Sequence, residues 1–342
     1  MANPVKSIHV GCRSFDISGL SEGDPYFASV TDNFEPEFET LCNELIHDDY
    51  ICVDIGANLG LKSLLLSQHV PNGRVIAVEA APTVAQLLEQ NIANSSAKNI
   101  IVVKSAIGDS DGRTRFAENS AYGYISPDGV EVPVQTLSSL VAALNLERLD
   151  FVKIDVEGYE FPILRTSIEL LNQHRSLVLF EFNTWCQVGL SGVHPKKFID
   201  WTLSQFTHVY AVRRNAGDNY LERVPEDGAR TFLHTNMVHD ALVTDLLVTN
   251  YEERLLPSLN GLRSKLKMVV TERDRAVAER DGAIAERDRA IAERDRAIAE
   301  SDRALAEKKN EKLPVDLGSW HATGRWFASL TAARIRERLY RR

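Results

Sequence analysis

From residue 41 onward the chain alternates two kinds of apolar pattern. Short runs with little polar interruption, "YICVDIG", "RVIAVEA", "NIIVVKSAIG", "LDFVKID" and "SLVLFEF", have the length and continuity of strands buried on both faces. Between them lie stretches at helical spacing, such as Leu61, Leu64 and Leu65 with Gln68, or Val84, Leu87 and Leu88 with Asn91. Two later runs, "THVYAVRR" and "DLLVTN", can complete a sheet. Strand followed by helix, repeated, reads as a doubly wound α/β domain, here spanning residues 41–255. Residues 1–40, with turn formers and aromatics in "SEGDPYFASVTDNFEPEF", read as an N-terminal cover.

The pattern changes after that domain. Residues 262–312 are expected to form a heptad-repeat helix or weak coiled coil, with five consecutive heptads of the type "ERDRAIA" between Glu272 and Ala306. Glu286, Arg289, Glu293, Arg296 and Glu300 are placed to form a ladder of charges along one helix face. Each heptad carries one large apolar residue (Val277, Ile284, Ile291, Ile298, Leu305) flanked by alanines, whereas a strong coiled coil repeats apolar groups at two positions. A solvated spacer helix and a homo-oligomer held by a weak seam both fit. The last segment, 313–342, is basic and aromatic: "GSWHATGRWFASLTAARIRERLYRR" holds six arginines against one glutamate. Its possible partners are another protein or an anionic membrane surface, although Arg334 and Arg341 interrupt the face that holds Trp326, Phe327 and Leu330.

Charge narrows the function. Residues 1–260 hold 19 Lys and Arg against 34 Asp and Glu, while residues 261–342 hold 20 against 14. A body this acidic argues against a nucleic-acid partner, which would draw on a basic face. No apolar stretch is long enough to span a bilayer, and the first residues lack the apolar core of a signal peptide. The expected location is cytoplasmic, with the tail able to hold the protein at the inner face of the membrane. Cys12, Cys42, Cys52 and Cys186 show no metal-ligand spacing and read as packed free thiols.

The candidate chemistry starts at "VDIGANLG", residues 53–60. A strand ending in Asp54, a tight glycine turn and then a helix place a ligand site at the carboxyl edge of the sheet. Asn58 stands where a dinucleotide fingerprint needs its second glycine, and an acid before the turn would repel phosphate. The acid suits a ligand with an ammonium and a positive sulfonium, as in S-adenosylmethionine. Glu79, closing the next strand, is placed to accept hydrogen bonds from ribose hydroxyls, a feature that a dinucleotide site would share.

"VDIGANLG", "VIAVEAAP", "SAIGDSDG", "VPVQTLSSL" and "LDFVKIDVEGYEFPIL", in this order over roughly residues 35–185, resemble the FkbM family of S-adenosylmethionine-dependent methyltransferases. The resemblance implies a class I methyltransferase fold: a Rossmann-like doubly wound sheet of seven strands, the last antiparallel, here followed by a long C-terminal helix. It also implies O-methylation, commonly of sugar or polyketide hydroxyls. Asp54, Gly56, Ala57, Asn58 and Gly60 match the motif around the methionine part of the cofactor. Glu79 matches the ribose acid, Ala80 the position beside the adenine, and Ser105, Ala106 and Ile107 the loop over its edge. Lys62 departs from the family, which often has an aromatic or small residue there.

Asp155, at the end of the fourth strand, and Glu157, in the following turn, are candidates for orienting or deprotonating the acceptor hydroxyl. Glu157 and Glu160 could instead order the turn, or Asp155 and Glu181 hold a divalent metal, which is not the expected arrangement. His194, in "LSGVHPKKF", falls in a substrate loop, where an imidazole can take a proton near neutrality. His208, His234 and His239 read as core or surface residues. The function expected is an S-adenosylmethionine-dependent O-methyltransferase with a sugar or glycan acceptor, in bacterial polysaccharide or glycolipid biosynthesis. The alternatives are a small-molecule natural-product O-methyltransferase and a non-catalytic interaction protein on the same fold.

Overall fold

The structure is a computed structural model that describes residues 3–32, 35–118, 123–214 and 220–310. It opens with the hairpin β1 (Val5–Val10) and β2 (Arg13–Ser18), then α1 (Pro25–Ser29) and α2 (Pro36–Leu45). Strand–helix units follow: β3 (Ile51–Ile55), α3 (Leu61–His69), β4 (Arg74–Glu79), α4 (Pro82–Ser95) and β5 (Ile100–Lys104). An excursion then makes β6 (Ala106–Ile107), β7 (Gly112–Ala117), β8 (Tyr124–Ile125) and β9 (Val130–Gln135). The series resumes with α5 (Leu137–Ala143), β10 (Phe151–Ile154), α6 (Glu160–Gln173) and β11 (Leu177–Asn183). After the turn α7 (Thr184–Cys186) and a π-helical turn at Gln187–Ser191 come α8 (Pro195–Gln205), β12 (His208–Val212), β13 (Leu221–Arg223), α9 (Ala229–Val238) and β14 (Val243–Thr249).

Among the described residues the main sheet has eight strands in the order β13-β12-β14-β11-β10-β3-β4-β5. The strands from β5 to β11 are parallel, and β14 lies antiparallel between β11 and β12. The expected seven strands with an antiparallel last one are present. The eighth, β13, is a three-residue edge strand antiparallel to β12, too short for its alternation to show in the sequence. The run "NIIVVKSAIG", which reads as one strand, is two: β5 ends at Lys104, and β6 joins a second sheet of order β6-β9-β7-β8.

Alternate residues of each strand feed two cores, one on each face of the sheet. Cys52, Val75, Ala77 and Leu179 point into one, which α2, α3, α4 and the N-terminal hairpin complete through Leu41, Leu64, Leu88, Ile8 and Ile17. Val53, Ile55, Ile76, Val152 and Phe180 point into the other, covered by α5, α6, α8 and α9 through Leu140, Ile163, Phe198 and Phe232. The N-terminal hairpin is fixed by Asn91 on α4, which accepts from Ser18 N at 2.8 Å and donates to Ser18 O at 3.2 Å. Because β4 continues from β3 on one side and β10 joins β3 on the other, the sheet changes direction at β3 and β10, where such folds open a crevice at the carboxyl ends of the strands.

Two compact units divide the chain, Met1–Val269 and Val270–Arg342. Helix α10 (Leu259–Asn310) begins inside the first. There Ser258 Oγ donates to Asn43 O at 2.8 Å, and a Cβ on Gly261 would meet Glu44 Cα at 2.8 Å, so the entry to α10 is fitted against the end of α2. In the second unit the heptad apolar residues Val277, Ile284, Ile291 and Ile298 are 40% to 52% exposed. Arg280, Arg287 and Arg294 pair with the adjacent Asp281, Asp288 and Asp295, and Arg275 pairs with Glu279 one turn on, at 3.1 Å. The basic aromatic tail, 313–342, lies outside the described residues.

Candidate active site

At the carboxyl ends of β3, β4, β10 and β11 lies a cavity of about 770 Å³, within the size range of small-molecule sites. Gly56, Ala57, Asn58, Glu79, Ala80, Ser105, Ala106, Ile107, Asp155 and Glu157 all line it. Asp54, Gly60 and His194 do not.

The turn after β3 is closed on itself. Gly56 N and Ala57 N both donate to Val78 O at 2.9 Å, Asn58 N donates to Glu79 Oε2 at 2.8 Å, and Gly60 N donates to Ala57 O at 2.9 Å. These four N–H groups are therefore spent inside the protein, and none of them is left to cradle a phosphate. Gly56 has φ +77°, and a Cβ there would sit 1.9 Å from Asp155 O, so only glycine lets β3 and β10 approach this closely. Gly60 ends the turn as the N-cap of α3 and faces Leu88 and Ile92 of α4, away from the cavity. Asn58, also at positive φ, keeps its Oδ1 buried and without a hydrogen-bond partner.

Glu79 is 8% exposed and binds Asn58 N through one oxygen and Ala81 N, at 2.9 Å, through the other. Burial raises its carboxyl above the ordinary range, and the two backbone donors oppose that rise. Each oxygen retains acceptor capacity toward the cavity. Gln135 Nε2 donates to Ser105 Oγ at 2.7 Å, fixing the end of β9 to the edge of the cavity.

The floor is an alternating row of charges. Asp54 is fully buried; Ser63 Oγ donates to its Oδ2 at 2.6 Å, and Lys153 Nζ lies 3.1 Å from its Oδ1. Lys153, only 3% exposed, also donates to Gly56 O at 2.9 Å and lies 3.4 Å from Asp155 Oδ2. Lys62 Nζ stands 3.3 Å from the same Asp155 oxygen and 2.9 Å from Glu35 Oε2. The row thus runs Asp54, Lys153, Asp155, Lys62, Glu35. Burial opposes the charge on Lys153, but Asp155 and Asp54 outweigh it and raise the ammonium pKa. Burial alone would also raise the Asp155 carboxyl; Lys153 and Lys62 reverse this and hold it at about 2.

Asp54, expected beside the methionine part of the cofactor, is not among the lining residues and pairs with Lys153, which it holds in place. Asp155, expected to orient or deprotonate a hydroxyl, lines the cavity and is a weak base. Other acids have the opposite setting. Burial, then Asp155, raises Glu157, which stands at φ +54° and accepts a hydrogen bond from Cys186 Sγ at 3.1 Å. Glu181 lines the cavity from β11 and is raised well above its ordinary range by burial, then by Asp155 and its cross-strand neighbour Asp245. Asp245 itself is raised to about 6, burial being the main cause. Glu160 does order the turn: it accepts from Val156 N at 2.9 Å and Gly158 N at 3.2 Å, and burial raises it to about 7. Among the described residues no three His, Cys, Asp or Glu side chains are grouped to hold a metal ion.

His194 is exposed and caps α8, its Nδ1 accepting from Lys196 N at 3.2 Å. The following Pro195 suits the first helical turn, so the local sequence "HPKK" reads as a helix start and not as a substrate loop. His234 and His239 are exposed and His208 half-buried; Cys42, Cys52 and Cys186 are packed free thiols, whereas Cys12 is exposed. Sequence reasoning missed Lys153, whose signal was a lone lysine inside a buried strand. It also missed the wall contributed by Tyr26, Glu35, Phe116, Tyr124 and Ile125.

Residues 54–220 match the family model described as the methyltransferase FkbM domain. Methyltransferase 1 of Beauveria bassiana is 26% identical over 145 residues, covering 34% of this chain and 58% of that protein. Methyltransferase sdnD of Sordaria araneosa is 26% identical over 183 residues, covering 42% and 68%. A solved structure of Methyltransferase FkbM from Methylobacillus flagellatus KT aligns with a TM-score of 0.39 and 17% identity, over 59% of this chain and 44% of that one. The chain thus spans 58% of the first of these relatives and less than half of the solved chain.

Proposed function

We propose that this chain, which belongs through residues 54–220 to the methyltransferase FkbM family, transfers a methyl group from S-adenosylmethionine to a hydroxyl of a sugar or glycan, in bacterial polysaccharide or glycolipid biosynthesis. The observation that carries the reading is one cavity joining a turn whose Gly56, Ala57, Asn58 and Gly60 N–H groups are spent inside the protein, the ribose-type acid Glu79, and a wall of carboxylates and tyrosines.

The residues present fit the cofactor. The unpartnered, buried Asn58 Oδ1 offers an acceptor to an ammonium, Glu79 offers acceptors to a diol, and Ala80, Ser105, Ala106 and Ile107 form a low wall suited to a flat base. When bound, S-adenosylmethionine supplies a methyl carbon on positive sulfur, which departs as the neutral thioether as the new O–C bond forms. Asp155, kept anionic by its two lysines, favours that positive charge and orients the acceptor. The released proton passes to Glu157 or Glu181, lining carboxylates of raised proton affinity that, unlike Glu79, are not assigned to the cofactor. Tyr26, Tyr124 and Tyr159, with Glu35 and Glu37, give the acceptor side both aromatic faces and polar groups, the mixture that holds a polyol.

A natural-product acceptor is the second reading, favoured by the apolar side of the same cavity, where Ile107, Phe116, Ile125 and Leu190 meet. Calorimetric titration with S-adenosylmethionine tests the cofactor, and transfer of labelled methyl to sugar and polyketide-type hydroxyl panels tests the acceptor. Absence of binding would leave the fold as an interaction platform; labelling only of the polyketide panel would overturn the sugar reading.

A further inference from the structure

Glu181 is the acid of the cavity wall with least around it to balance a negative charge. Strand order sets its place. Along the carboxyl edge of the sheet follow β5, which leads into Ser105, β4 with Glu79, β3 with the turn to Asn58, β10 with Asp155, and β11 with Glu181. Ile154 of β10 pairs with Phe180 of β11, so Asp155 and Glu181 come next to each other on adjacent strands. Glu181 therefore lies one strand beyond Asp155, on the acceptor side of the groups that fit the cofactor.

The charges that face it are unequal. Asp245 lies opposite Glu181 across β11 and β14, and Asp155, Glu157 and Glu160 act on it from the end of β10, the turn after it and the start of α6. The cations of the lining are Lys62, Lys153 and Arg214. Lys153 is committed to Asp54 and Asp155, Lys62 to Asp155 and Glu35, and Arg214 acts on Asp245. Among the described residues Glu181 makes no ion pair, and its hydrogen-bond donor is Asn183. Cys186 N donates to Asn183 Oδ1 at 3.1 Å, which turns Nδ2 of the same amide to Glu181 Oε2, also at 3.1 Å. Two carboxyls opposed across neighbouring strands retain a proton between them. Because Lys62 and Arg214 act on Asp245, that proton rests on Glu181. A neutral carboxyl accepts the Asn183 bond through its carbonyl oxygen and keeps its O–H.

We propose that Glu181 is the base of the reaction and that the cofactor activates it: Glu181 holds a proton in the free protein, gives it to solvent when the positive sulfonium enters, and then takes the proton of the acceptor hydroxyl. The inference rests on the methyl-transfer reading. A positive charge brought beside Asp155 and Glu181 favours the carboxylate over the acid. As an electron pair of the hydroxyl oxygen forms the O–C bond, the C–S pair stays on sulfur and the hydroxyl proton moves to Glu181. The sulfur is then neutral, the reason for Glu181 to be ionised is gone, and the residue ends the cycle protonated, as it began. One proton reaches solvent for each methyl transferred, and it leaves at cofactor binding. An acceptor that arrives first meets a neutral acid, so the base exists only after the cofactor is bound.

The test titrates the full chain calorimetrically at pH 7 with S-adenosylmethionine and with S-adenosylhomocysteine, which lacks the methyl and with it the positive charge. Buffers of different ionisation enthalpy count the protons exchanged, and no acceptor is needed. S-adenosylmethionine should release about one proton more than S-adenosylhomocysteine. Glu181→Gln, which keeps the shape of the neutral acid, should abolish that difference, and Glu157→Gln should leave it. Equal proton counts for the two compounds, a difference that persists in Glu181→Gln, or one lost in Glu157→Gln alone would each overturn the proposal while the cofactor reading stands. Binding of neither compound would fail the cofactor reading itself, and this proposal with it.

Discussion

Lys153→Met is the most informative single change in the cavity floor. Methionine keeps much of the side-chain length and removes the charge. It leaves Asp54, which is fully buried, and Asp155 facing each other without the cation between them, and Gly56 O without its donor. Removing one partner of a buried ion pair typically costs about 3–5 kcal/mol, and two anions depend on this lysine, so the upper part of that range is expected. Urea denaturation at pH 7 measures it. The pH dependence supplies a second check. In the unaltered protein the Asp155 carboxyl is depressed from 3.8 to about 2, so its contribution is fully present above pH 4 and is lost as pH falls toward 2. Without Lys153, burial of Asp155 is opposed by Lys62 alone, its carboxyl rises, and protonation relieves it. The deficit of the variant should therefore shrink as pH falls from 7 to 4. Asp54→Asn in the Lys153→Met background should recover part of the loss, whereas it should destabilise the unaltered chain. A variant within about 0.5 kcal/mol of the parent at pH 7, the range of ordinary surface substitutions, would refute the charge row as the organiser of the floor.

Glu79→Gln should weaken S-adenosylmethionine binding by about 1–3 kcal/mol, because the amide offers donors where the diol needs acceptors; calorimetry with an unchanged affinity would remove Glu79 from the site. Glu160 is held near 7 by burial, so as an anion it costs stability at neutral pH, and stability should rise as pH falls from about 8 to about 6. Glu160→Gln should flatten that slope, as read by thermal melts across the range, and an unaltered slope would assign it to Asp245 or Glu181. A chain ending at Val269 should stay folded and monomeric, while the full chain associates weakly with rising concentration through Val277, Ile284, Ile291 and Ile298. Sedimentation of a full chain that remains monomeric at every concentration would leave the repeat as a single-helix spacer.

What could be read from the sequence follows how local each device is. The turn from Gly56 to Gly60 and the acid Glu79 were legible, because strand, turn and helix signals lie within a few residues of each other. The Lys153–Asp54 pair was not, since it arises from the register of β10 against β3, where Lys153 lies opposite Asp54 across 99 positions of chain. The second sheet was equally hidden: β7, "GRTRFA", and β9, "VEVPVQ", are half-exposed and polar, and their pairing is settled by each other. Asp155 was found by position, but its low basicity depends on Lys153, hidden in the register of β10, and on Lys62, legible only as a departure from the family pattern. His194 caps α8 and does not line the cavity, a placement that the helix start at Pro195 could have signalled.

The excursion after β5 begins and ends side by side, since Ala106 pairs with Val134 and Ile107 with Gln135 in the parallel ladder of β6 and β9. Everything between them, including Phe116, Tyr124 and Ile125 of the cavity wall, is a closed loop of chain set on two adjacent posts. The main sheet needs only those posts. Substitutions at Phe116, Tyr124 and Ile125 therefore reshape this wall of the cavity without touching a strand of the main sheet, so one side of the cavity can be varied while Glu79 and the turn after β3 stay as they are.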